Sequence, residues 1–179
     1  MGVGLIITVA ILVLDVIISV WNSYAAGEVS NESRGLGIFF YVLGGFLPMV
    51  YVMSIVLTVL LAMFKYIPYT IANFLLSFSF VFFGATIIMW GVIATATSII
   101  ATIKTGSWKA GLTSAYNISA LIYDTWEYMV DFGGAVKDIV TDLAKDKDGA
   151  IVALIIVMGL ALAIGFIITY LAYKAGRGH

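Results

Sequence analysis

Every lysine and arginine in this chain lies at the edge of an apolar run, and several runs reach the roughly 20 residues a helix needs to cross a bilayer. Within hydrocarbon there is no water to satisfy the backbone, so such a run must close its hydrogen bonds internally, as helix. Composition agrees: 63% of residues are hydrophobic and 11% charged, against about 45–50% and about 25% in soluble domains. The mean hydropathy is +1.11. The chain reads as an all-α integral membrane protein, with residues 1–179 forming a single transmembrane domain.

The first apolar run covers residues 3–25 and ends in the interfacial aromatics Trp21 and Tyr24. It lacks a positive n-region and Asp15 interrupts it, so we read it as a retained span rather than a signal peptide. A polar loop at 27–37 precedes a second run at 36–64. There Gly44-Gly45 and Pro48 predict a kink or a locally broken turn. Residues 67–103 are apolar for about 50 Å of straight helix, so this element either projects beyond the bilayer or bends near Gly84 or Gly91. Gly133-Gly134 is expected to end a helix over 110–132. The charged stretch 136–149 is expected to be a solvated face or loop, and a last span runs over 150–173. Asp146-Lys147-Asp148-Gly149 begins like a calcium loop, but the ligand pattern stops there.

Topology turns on the segment 110–132, an acidic helix that is either amphipathic and interfacial or embedded. If it crosses, the bundle has five transmembrane helices. Arg34, Lys104, Lys109, Lys174 and Arg177 then share one side, facing Lys65, Lys137, Lys145 and Lys147. If it lies in the interface, the bundle has four helices, and Lys137, Lys145 and Lys147 join Arg34, Lys104 and Lys109. Either count puts the Arg34 loop inside by its basic excess, and the N-terminus outside the cell membrane.

That acidic segment is the main lead to function. Asn117, Asp124 and Asp131 fall at heptad spacing, and Glu127 follows Asp124 by one turn, so one helical face carries all four. Asp15 and Asn22 repeat the amide–carboxylate spacing in the first span. No basic residue is placed to meet Asp15, Asp124 or Glu127 at membrane depth, where a charged Asp costs about 2.5–3.5 kcal/mol on insertion scales. Such a carboxylate needs a bound cation, a proton or a water-filled cavity. If the helices pack together, Asp15, Asn22, Asn117, Asp124 and Glu127 form one oxygen-rich site. Asp15, Asp124 and Glu127 are then the expected metal ligands for a hard inorganic cation. The alternative for the helix is an acid-bearing surface helix, which the aromatics Tyr123, Trp126 and Tyr128 would suit. Thr95, Ser98 and Thr102 form a hydroxyl stripe that either packs helices or lines a path.

Enzymatic readings find no support in the sequence. There is no cysteine, the one histidine is His179, and no phosphate-binding, dinucleotide or nucleophile-elbow pattern occurs. A net charge of −1 without a basic block gives no footing for nucleic acid. The expectation is a small transport protein, channel or carrier, for a cation or protons, in a lipid bilayer and without an organic cofactor. So few spans make a narrow bundle, which predicts a homo-oligomer. The rival expectation is a non-enzymatic structural, assembly or partner-binding subunit.

Overall fold

A computed structural model describes residues 2–178, which leaves His179 outside the described residues. The described residues are helical throughout and contain no strand. The elements are α1 (Val3–Ser30), α2 (Arg34–Tyr41), a π-helical turn (Val42–Phe46), α3 (Leu47–Met63), α4 (Tyr69–Thr105), α5 (Trp108–Lys145) and α6 (Lys147–Arg177). Four stretches are long and apolar enough to cross a membrane: Val9–Ser30, Arg34–Met63, Tyr69–Thr105 and Lys147–Arg177. The fifth rod, α5, carries more charge and lies against α4.

The turns have local causes. Ser33 caps α2 by accepting a hydrogen bond from the Leu36 amide, at 3.4 Å. Gly106, in the left-handed region at φ 64°, closes α4 and lets α5 start two residues later. Asp146 accepts from the Gly149 amide at 3.1 Å and so caps α6. The acidic tetrad that begins like a calcium loop is thus a helix start.

The expected irregularity in the second run is the π-helical turn. Pro48 has no N–H to give to the carbonyl of Gly44, four residues before it. Asn22 on α1 takes that role, its side-chain amide donating to the Gly44 oxygen at 3.2 Å. Gly45 lets α1 approach, since a Cβ there would strike the Ser23 hydroxyl.

Two expectations are corrected. Gly133-Gly134 does not end a helix: α5 runs unbroken to Lys145. The segment 136–149 is mostly a continuation of α5, and it is not wholly solvated. Ile139 and Leu143 pack on the core of Ile71, Phe74, Leu75, Ala150 and Val157. Asp142 is buried and accepts from Asn73 at 2.7 Å, with Lys145 at 3.9 Å. Burial of those apolar side chains outweighs the roughly 1 kcal/mol that each helical glycine costs. The long apolar stretch of 67–103 is a single helix, α4.

Successive rods alternate in direction. The contacts Thr102–Ser114, Ser98–Asn117, Gly91–Leu121, Gly84–Tyr128 and Asn73–Asp142 fix α5 antiparallel to α4 along its whole length. A Cβ on Gly84 would sit 2.9 Å from the Tyr128 ring, and one on Gly91 would sit 3.1 Å from Leu121, so these glycines set the spacing. The outer helices α1 and α6 run in the same direction and touch backbone to backbone, Gly27 against the Tyr173 carbonyl and Gly176 against that of Tyr24. This path gathers Arg34, Lys104, Lys109, Lys174 and Arg177 at one end of the bundle, and Lys65, Lys137, Lys145 and Lys147 at the other.

Candidate functional site

Because α1 and α5 are antiparallel, their matching amide–carboxylate spacings come into register. Asn22 lies level with Asn117, and one heptad away Asp15 lies level with Asp124. The two helices stand apart across a cleft floored by α4, without packing closely on one another.

At the amide level the cleft measures about 550 Å³, with Ile17, Ile18, Trp21 and Asn22 on one wall and Tyr116 and Asn117 on the other. Ser98 forms part of its floor. Asn117 donates to the Ala94 carbonyl and to the Ser98 hydroxyl, both at 3.2 Å. Among the described residues neither asparagine's side-chain oxygen accepts a hydrogen bond.

At the carboxylate level Asp15 and Asp124 are both partly buried and repel one another across the gap. A second cavity of about 150 Å³ is lined by Tyr51, Gly84, Asp124, Glu127 and Tyr128. Tyr51 projects from α3 into the field of Asp15, Asp124 and Glu127 together. The Tyr128 hydroxyl is held elsewhere, donating to the Val81 carbonyl at 2.9 Å. Among the described residues the ion pair is Lys145–Asp142, so neither Asp15, Asp124 nor Glu127 has a basic partner. Nor do three carboxylates converge closely enough among the described residues to hold a metal ion. Asp15, Asp124 and Glu127 share a neighbourhood rather than a coordination sphere.

The remaining candidates separate. Asp131 is exposed and lines neither cavity. Of the hydroxyl stripe, Ser98 faces the cleft, whereas Thr102 pairs with Ser114 at 3.1 Å and returns a bond to the Ser98 carbonyl. Thr95 is half-buried, and its hydroxyl oxygen is enclosed without a hydrogen-bond partner among the described residues. The stripe therefore serves mainly the α4–α5 contact. Sequence reasoning missed Tyr51, whose only advance signal is a phenol one turn beyond Pro48 in an otherwise apolar span.

Compared with known proteins, the chain matches no family model, no curated protein and no solved structure.

Proposed function

We propose that this chain is a small membrane transport protein that passes protons, or a cation in their place, along the acids between α1 and α5. One observation carries the reading. Antiparallel helices bring Asp15 and Asp124 to one level, beside Tyr51 and Glu127, with no basic group to neutralise them. Carboxylates in that position call for a proton, a cation or a water-filled cavity, and each of these suits the passage of protons or cations. The lack of a three-carboxylate cluster favours the proton, which needs no coordination sphere. Carboxyl and phenol groups both donate and accept, so Asp15, Tyr51, Asp124 and Glu127 can hand a proton along.

In this reading α5 is the fifth crossing. Its outward side chains Ile122, Tyr123, Trp126, Met129 and Val130 are each more than half exposed and apolar or aromatic, as a lipid-facing surface requires. Of its acids on this stretch, Asp124 is half-buried and shares a cavity lining with the exposed Glu127, whereas Asp131 stays exposed. The basic excess of the end bearing Arg34, Lys104, Lys109, Lys174 and Arg177 supports a cytoplasmic location for that end and an outside N-terminus. A bundle of five helices is narrow for a path, which suits a homo-oligomer.

The test is proton uptake by proteoliposomes under an imposed potential, read with a trapped pH dye. Asp15→Asn and Asp124→Asn should each bring uptake to the level of empty vesicles. Wild-type uptake in both variants refutes the assignment. A non-enzymatic assembly or partner-binding subunit is the second reading, favoured by the use of Gly84, Gly91, Ser114 and Thr102 in helix packing. Wild-type protein that moves no ions while its helices stay folded would support it.

A further inference from the structure

The amide-level cleft has a polarity gradient that the acid relay does not use. Down α5 from the turn with α4 come Lys109, just beyond the lining, then Thr113, then Tyr116 and Asn117; Lys104 is on the last turn of α4, at the same end of the bundle. Both lysines are exposed. Down α1 on the facing wall come Ala25, then Asn22 and Trp21, then Ile18 and Ile17. The order is cationic, then hydroxyl and amide, then apolar. Trp21 and Tyr116, 71% and 57% exposed, flank the mouth. Asn117 is eight residues from Lys109, or about 12 Å along the helix. That is the descent from a phospholipid's phosphate through its glycerol esters into its acyl chains.

We propose that the cleft between α1 and α5 holds one anionic phospholipid, its phosphate at Lys104 and Lys109 and one acyl chain against Ile17 and Ile18. Charge selects the headgroup: this end of the bundle also carries Arg34, Lys174 and Arg177, so its five basic residues outnumber the acids Glu28 and Glu32, and basic clusters beside membrane helices attract anionic lipid. Shape selects a chain: about 550 Å³ is within the usual range for a small-molecule site, and few polar groups line it. The Asn22 amide, already donating to Gly44, has a second N–H for an ester oxygen. The proposal requires the chain to lie in a bilayer, and it is independent of whether the acids carry protons.

To test it, delipidated protein is exposed to equal amounts of phosphatidylglycerol and phosphatidylcholine, and native mass spectrometry counts what is retained. One phosphatidylglycerol per chain is expected. The double substitution Lys104→Gln/Lys109→Gln should cut the preference by about tenfold or more, since each basic residue near an anionic surface contributes about 1 kcal/mol. Ala25→Trp should expel both lipids by filling the cleft. A readout that needs no cleft mutation is quenching by lipid brominated in the acyl chain. Brominated phosphatidylglycerol should quench the fluorescence that Trp21→Phe removes, and brominated phosphatidylcholine should not. Equal retention of the two lipids, or an unchanged preference in the lysine variant, overturns the proposal. So does an intermolecular disulfide between Ala25→Cys and Thr113→Cys chains in place of retained lipid, which would make a second copy the occupant.

Discussion

Asp15 was legible because an acid in an apolar run, with no base within reach, has few ways to exist. Tyr51 was not. Hydropathy reads a mid-span tyrosine as one more aromatic, and its role depends on α3 delivering it to acids from two other helices. If the phenol relays protons, Tyr51→Phe removes the hydroxyl while keeping the ring's packing, and proton uptake should fall severalfold with helix content unchanged. Uptake equal to wild type would remove Tyr51 from the path. Asp142 fails in the opposite sense. Set among alternating charges it reads as solvated, yet Asn73, almost seventy residues earlier in the chain, buries and satisfies it. Partners so distant in sequence leave no local signature.

Among the elements, the irregular turn between α2 and α3 was readable from Gly44-Gly45 and Pro48, since both effects act within a few residues. Its consequence for α1 was not. A proline that removes a donor leaves Gly44 to be satisfied by Asn22, so one residue of the amide level is tied to the backbone of another helix. Asn22→Leu should destabilise the fold by about 1–3 kcal/mol by orphaning that carbonyl. Pro48→Ala restores a local donor, so the double variant should lose less than the sum of the singles, by about 1 kcal/mol. Strict additivity in reversible unfolding would mean that the two residues do not share the carbonyl. The α4–α5 pairing was half visible: the stripe of Thr95, Ser98 and Thr102 marked either a packing face or a path, without saying which helix covers it. The end of α5 was misread because paired glycines are weak stops when apolar residues beyond them, here Ile139 and Leu143, have a core to join.

For the molecule as a whole, the helical class was plain from run lengths, whereas the number of crossings rested on one acidic segment. Five crossings put Thr105 and Lys147 on opposite membrane faces; four put them together. The chain has no cysteine, so Thr105→Cys and Lys147→Cys can be labelled singly with an impermeant maleimide in sealed, oriented vesicles. Labelling from opposite sides is expected, and labelling from the same side would place α5 in the interface. The direct contact of α1 with α6 has a consequence in time. α1 packs on α6 across more than a hundred intervening residues, as well as on the nearer α2 and the π-helical turn. Loop closure of that length adds little entropy beyond a shorter one, so the delay is one of order rather than of energy. Until α6 emerges, α1 is held only from the side of α2 and the π-helical turn, where Asn22 bonds to Gly44, and the wall that α6 gives it is missing. In the proposed reading, a chain interrupted before α6 therefore has an incompletely supported α1 and should pass fewer protons than the intact one.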